Sequence, residues 1–249
     1  MIKLNCDMAE GFGSWPMGLD NEVMPYIDMA NIACGFHASD PFIMSKTVAM
    51  AKENGVSIGA HPGYPDLLGF GRRDIAFSLQ EITDLIQYQV GALQAICTAK
   101  GLSVDYVKPH GALYNLMMRD DAVLLTIIKA VAAISKEKDQ ALSLMVLANA
   151  QADAIKAKAE EHGVSILFEA FCDRAYNDDG SLVSRATEGA VLDDDESIEK
   201  RIQELIVDKE ITCLSGKKLP IHADTVCVHG DNAHALATVK KIRDYINRL

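Results

Sequence analysis

The sequence predicts an α/β fold: a single (β/α) barrel domain over residues 1–249, TIM-like, with about seven parallel strands. Three observations predict it. Strand-length apolar runs alternate with helical segments about seven times, and that repetition implies parallel strands joined by crossover helices. Nearly every run ends in a polar residue able to do chemistry; strand carboxyl ends in a barrel share one mouth, whereas an open doubly wound sheet gathers its ligand at one switch point. A length of 249 residues, 49% of them hydrophobic, supports a large core.

The elements follow in order. Lys3-Leu4-Asn5-Cys6 leads to Asp7 and Glu10, and Ala30-Asn31-Ile32-Ala33-Cys34-Gly35 leads to His37. Pro41 in a first turn and Gly55 after a last one bracket a helix over 41–54. Ser57-Ile58-Gly59-Ala60 leads to His61. Over 80–100, Ile82, Leu85, Ile86, Val90, Leu93, Ile96 and Cys97 recur at helical spacing, and Gly101 supplies a stop. Asp105-Tyr106-Val107 delivers Lys108 and His110 before a helix over 120–136. Leu144-Met145-Val146-Leu147 leads to Asn149 and a helix over 149–162. Leu167-Phe168 leads to Glu169, with a helix at 195–208, and Val226-Cys227-Val228 leads to His229, Asp231 and a helix over 232–247. The connections 7–26, 62–78 and 170–192 are too long for simple turns and read as lids or binding loops.

Composition narrows the function classes. A net charge of -11 without a dense Lys/Arg run argues against a nucleic-acid or acidic-membrane partner. Neither a signal peptide nor an apolar stretch of about 18 residues is present, so a cytoplasmic protein is expected. Six cysteines without a Cys-x-x-Cys pair read as reduced core thiols rather than a disulfide framework or zinc knuckle.

Several constellations could carry chemistry. Asp7 and Glu10 close the first strand, where paired carboxylates can divide acid and base work; the alternative is a turn cap and a solvated side chain. Lys108 and His110 are two residues apart and share one side of an extended strand end. Desolvated, such a lysine transfers protons; charged, it stabilises an oxyanion or holds a carboxylate. Around Asn31, Cys34, Gly35 and His37, the glycine permits close approach to a ligand, and Cys34 reads either as a nucleophile or as a small hydrophobe. His61 with Asp7 and His110 could form a carboxylate and histidine site for a divalent metal. Arg72, Arg73 and Arg174 are the cations of the long loops, and with His229 and Asp231 they complete the expected substrate-binding set. No Gly-x-x-x-x-Gly-Lys-Ser/Thr loop exists, and Gly11-Phe12-Gly13 lacks the third glycine of a dinucleotide fingerprint.

The strings Leu4-Asn5-Cys6-Asp7-Met8-Ala9-Glu10-Gly11-Phe12-Gly13, Ala30-Asn31-Ile32-Ala33-Cys34-Gly35-Phe36-His37, Gly69-Phe70-Gly71-Arg72-Arg73, Lys108-Pro109-His110-Gly111-Ala112-Leu113-Tyr114 and Cys227-Val228-His229-Gly230-Asp231 resemble the LamB/YcsF family. The resemblance runs from the first strand to the last helix. It implies a seven-stranded barrel similar to the glycoside hydrolase and polysaccharide deacetylase barrels. It also implies opening of 5-oxo-L-proline to L-glutamate coupled to ATP hydrolysis, with 5-oxoprolinase subunits B and C as partners that handle the ATP. In the deacetylase barrels an aspartate and two histidines bind a metal, and Asp7 matches that aspartate in position. Two rival readings are a metal-dependent carbohydrate deacetylase or hydrolase acting alone, and a binding protein without catalysis.

Overall fold

The computed structural model describes residues 2–136, 141–184, 187–192, 194–228 and 233–248. Seven parallel strands close into a barrel: β1 (Lys3–Met8), β2 (Met29–Ala33), β3 (Ser57–His61), β4 (Tyr106–Val107), β5 (Ser143–Leu147), β6 (Ser165–Phe171) and β9 (Thr225–Val228), in that order round the ring. The remaining two, β7 (Glu210–Thr212) and β8 (Lys218–Pro220), form a separate antiparallel hairpin. Closure joins the two ends of the chain, because β1 pairs with β2 on one side and with β9 on the other.

Strand alternation sorts the side chains. In β1, Leu4, Cys6 and Met8 pack into the main core between strands and helices. Asn5 and Asp7 take the other face and point into the barrel, where Asn5 bonds Thr225 of β9 and Asn31 of β2. Met29, Tyr106 and Met145 fill a separate apolar layer.

Local chemistry places the helices. Helix α1 (Asp20–Val23) is one turn in the first long connection. Helix α2 (Pro41–Asn54) starts at Asp40, whose carboxylate accepts from the N–H groups of Phe42 and Ile43, and ends at left-handed Gly55. Helix α3 (Leu79–Ala99) starts in a Ser78/Glu81 capping box and buries Ile82, Ile86, Val90, Leu93 and Cys97. The segment before residue 120 is an additional helix, α4 (Gly111–Arg119), that the sequence reading leaves unassigned. Asp120 separates it from α5 (Asp121–Lys136) by accepting the N–H groups of Ala122 and Val123. Helix α6 (Ala152–Glu160) is shorter than expected at both ends, and α7 (Asp195–Gln203) passes into a π-helical turn at Glu204–Asp208 that stops at left-handed Lys209. Helix α8 (Ala233–Ile246) closes the chain. Among the described residues, no helix is long and apolar enough to cross a membrane.

Candidate active site at the barrel mouth

The carboxyl ends of β1, β2, β3, β4 and β6 bring Asp7, Asn31, His61, Lys108 and Glu169 together, through contacts given below. Lys108 is buried, with its ammonium 2.9 Å from Asp7 Oδ1 and 2.7 Å from Glu169 Oε1. It also donates to Asn5 Oδ1 at 3.3 Å. Burial works against the charge, yet Asp7 and Glu169 more than offset it and hold the ammonium well above its usual range. Of the two roles open to Lys108 from sequence, the structure therefore favours the fixed cation.

Asp7 is held from several sides. Its Oδ1 accepts from Asn31 Nδ2 at 2.8 Å as well as from Lys108, and its Oδ2 lies 3.4 Å from His61 Nε2. Behind it, Tyr106 donates its hydroxyl to Asn31 Oδ1 at 2.7 Å, fixing the amide that orients the carboxylate. Tyr114 of α4 donates to Glu169 Oε2 at 3.0 Å. Burial pushes the hydroxyls of Tyr106 and Tyr114 well above their normal range, so both remain donors at neutral pH.

A second cluster sits beside the first. One ligand atom from each of Glu10, His37, His61 and His110 lies within 4.8 Å of all the others. Asp7, expected as a ligand, is outside this set: its Oδ1 is committed to Lys108 and Asn31, and Glu10 takes the carboxylate position. His37 stacks flat on His110 with centroids 3.6 Å apart. Burial, then the neighbouring His110 and His61, lowers the His37 pKa well below its ordinary value. Burial and His61 likewise lower His110 to about 3. Both rings are therefore neutral at pH 7.

The connection 62–78 covers this cluster. Gln89 of α3 clamps Gly63, accepting from its N–H and donating to its carbonyl, each at 2.9 Å. A Cβ on Gly63 would meet His37 Nδ1 at 2.7 Å, and one on left-handed Gly71 would lie 2.7 Å from His37 Cβ and 2.9 Å from His110 Cδ2. Only glycine allows that approach. Three non-glycine residues with positive φ, Ala9, Ser39 and Phe70, flank Glu10, His37 and Gly71 in sequence, which marks a backbone held against its preference around the cluster.

The remaining predicted residues divide. Arg72 and Arg174 line a cavity of about 560 Å³ together with Asp7, His61, Lys108 and His110. Arg72 lies over the Phe70 ring, and Arg174 donates to the carbonyls of Val183 and Ala190. Arg73 does not line this cavity; its exposed guanidinium is clasped by Asp66 within the loop. Cys34 is buried, donates to the Ile32 carbonyl, and has its thiol pushed up to about 12 by burial, which removes the nucleophile reading. Gly35, left-handed, turns the chain from β2 towards His37. His229 and Asp231 lie outside the described residues. Glu169, Asn5 and Tyr114 are the site residues that sequence reasoning missed; the signal for Glu169 was its position at the end of the sixth apolar run.

The LamB/YcsF family matches residues 2–248. The chain belongs to the LamB/YcsF family. It is 53% identical over 247 residues to a protein from Pseudomonas fluorescens named as the A subunit of 5-oxoprolinase, covering 99% of this chain and 97% of that one. It is 50% identical over 242 residues to a protein of the same name from Vibrio parahaemolyticus, covering 97% and 94%. A crystal structure of a lactam utilization protein from Thermus thermophilus superposes with a TM-score of 0.88 at 36% identity, covering 99% of this chain and 96% of that one.

Proposed function

We propose that this chain is the A subunit of an ATP-dependent 5-oxoprolinase and carries the site at which 5-oxo-L-proline is opened to L-glutamate. The observation that carries the reading is the 53% identity, over nearly the whole of both chains, to a protein bearing that name. The mouth geometry fits the chemistry. A five-membered lactam resists water, and phosphorylation of its oxygen makes the ring carbon electrophilic. Water then adds to that carbon and the ring C–N bond breaks, so that the nitrogen takes up a proton to become the amine; the γ-glutamyl phosphate left behind is cleaved by a second water to glutamate and inorganic phosphate. Lys108 is placed to offset the negative charge that develops on the reacting carbonyl group, and Asp7 beside it to accept a proton from the attacking water. Arg72 and Arg174 supply the cavity wall with cations for the substrate carboxylate or a phosphate, and Glu10 and His110 complete the catalytic group.

ATP enters as a co-substrate of the assembly. The chain has no phosphate-binding glycine loop, so activation by ATP falls to subunits B and C while this chain supplies the hydrolytic cavity. The rival reading, a metal-dependent carbohydrate deacetylase acting alone, has no support from the names of the relatives at 50% identity or above. The test is 5-oxoproline cleavage by the purified chain with ATP, with and without subunits B and C. Turnover is expected only with both partners, and the chain alone should show negligible ATPase activity. ATP-dependent cleavage by the isolated chain would overturn the division of labour.

A further inference from the structure

The cluster at the strand ends contains an unsatisfied contact. His61 Nδ1 lies 2.7 Å from the Lys108 carbonyl, and His110 Nε2 lies 2.8 Å from the Phe70 carbonyl. A carbonyl oxygen only accepts, so each of these nitrogens carries its ring's proton. The two remaining nitrogens, His61 Nε2 and His110 Nδ1, then face one another at 2.9 Å, lone pair to lone pair. Two acceptors at that distance need a proton or a metal ion between or beside them. Backbone carbonyls that fix the tautomer of a histidine and aim its other nitrogen are the usual outer partners of metal-binding imidazoles.

Two further donors stand at the same place. Glu10 Oε1 is 3.6 Å from His110 Nδ1 and 3.5 Å from His37 Nε2. Among the described residues neither ring nitrogen of His37, a fully buried side chain, makes a hydrogen bond. Ligands about 2.1 Å from one ion lie about 3.4 Å apart at tetrahedral corners and about 3.0 Å apart along octahedral edges, close to the His61–His110, Glu10–His37 and Glu10–His110 separations of 2.9, 3.5 and 3.6 Å, within a cluster whose ligand atoms all lie within 4.8 Å of one another. The cavity reaches His61 and His110, so the cluster has an open side facing substrate.

We infer that Glu10, His61 and His110, with His37 beside them, form a binding site for one divalent first-row transition ion of the zinc class. Two imidazoles and one carboxylate, with His37 stacked on His110 beside them, suit zinc, cobalt or iron over magnesium or calcium, which prefer all-oxygen sites. When bound, such an ion would polarise a carbonyl group or activate water at the cavity wall. Lys108 pairs with Asp7 Oδ1 outside this set, while Asp7 Oδ2 stands 3.4 Å from His61 Nε2 at its edge. The site stands on ring geometry alone and does not depend on which amide the protein opens.

The test uses the full-length chain stripped with a chelator, then titrated with Co²⁺ alone and followed by visible absorption and calorimetry, with Zn²⁺ as competitor. One equivalent should bind, give a cobalt d–d spectrum and be displaced by Zn²⁺. His61→Ala and His110→Ala should each weaken binding at least about a hundredfold and Glu10→Gln at least about tenfold, whereas exposed His222→Ala should leave it unchanged. Circular dichroism checks that each variant folds; Glu10→Gln, which keeps the side-chain shape, serves if the alanine variants do not. Absence of saturable binding by the stripped chain would overturn the proposal, as would undiminished binding in a folded Glu10→Gln or His61→Ala variant.

Discussion

At Lys108, a cation held between two carboxylates makes function and stability inseparable. Removing it leaves Glu169 buried and Asp7 half-buried with their charges uncompensated, and breaking a buried ion pair in this way costs about 3–5 kcal/mol. Lys108→Met is therefore expected to lower the melting temperature and, in the fraction that folds, to reduce turnover with the partner subunits at least about a hundredfold. Near-normal turnover in the folded variant would make the lysine structural. Cys34 gives the opposite expectation. With its thiol pushed up to about 12 and its side chain buried, it should resist iodoacetamide at pH 8 until the protein is denatured, and Cys34→Ala should keep turnover within a few-fold. Mass spectrometry of labelled peptides decides it. Lys108, His110, Asp7 and His61 were legible in the sequence because each ends an apolar run of strand length. Glu169 ended one too, but its significance lay in Lys108, 61 positions earlier, and no local pattern announces a partner across a barrel. The exchange of Asp7 for Glu10 among the clustered ligands was hidden for a related reason: left-handed Ala9 turns the chain between them, and φ at one alanine leaves no trace in residue type.

Among the elements, helix α2 shows how a cap also positions a loop. Asp40 Oδ1 accepts from Phe42 and Ile43, while Oδ2 accepts from Gly13 in the long connection after β1. The Ile43 N–H, foremost, lowers the Asp40 pKa, with Gly13 and Phe42 adding to it. Asp40→Ala should thus reduce stability by about 1 kcal/mol at neutral pH. A carboxyl whose folded pKa is lowered adds stability above its unfolded pKa and loses it as pH falls through the folded one. The gap between wild type and variant in urea titrations should accordingly be constant above about pH 5 and shrink below about pH 4; a gap that widened in acid would contradict the capping role. Helices α2, α3 and α5 were readable from their periodicity, caps and stops. Helix α4 was not: it opens on Gly111 directly after Lys-Pro-His, residues that carry no helix signal, and the turn at Asp120 leaves almost no gap before α5. The β7–β8 hairpin carried a usable signal, Ile211 and Leu219 on either side of Ser215-Gly216, inside a stretch the sequence reading leaves unassigned.

For the whole chain, closure ties the ends together. Lys3 of β1 pairs with Thr225 of β9, and one core cluster runs from Leu4 to Ile246. Contacts so distant in sequence form only after most of the chain has been ordered, and the loss of any strand of the ring deprives both of its neighbours of a partner. The hairpin is fastened to the same body, since Leu214 donates its N–H to the Tyr176 carbonyl and Arg201 of α7 donates to the carbonyls of Arg174 and Thr212. A single folding domain is therefore expected. Urea unfolding followed by far-UV circular dichroism, which reports the helices, and by near-UV signals from buried Tyr64, Tyr106 and Tyr176 should give coincident midpoints. Weakening β1 alone, for instance by Leu4→Ala in the core, should shift both midpoints together by the same amount, at a cost of about 2–5 kcal/mol. If the tyrosine signal were lost before the helical one, the ring would be opening as a separate unit, and the mouth residues would owe their placement to local loops rather than to closure of the barrel.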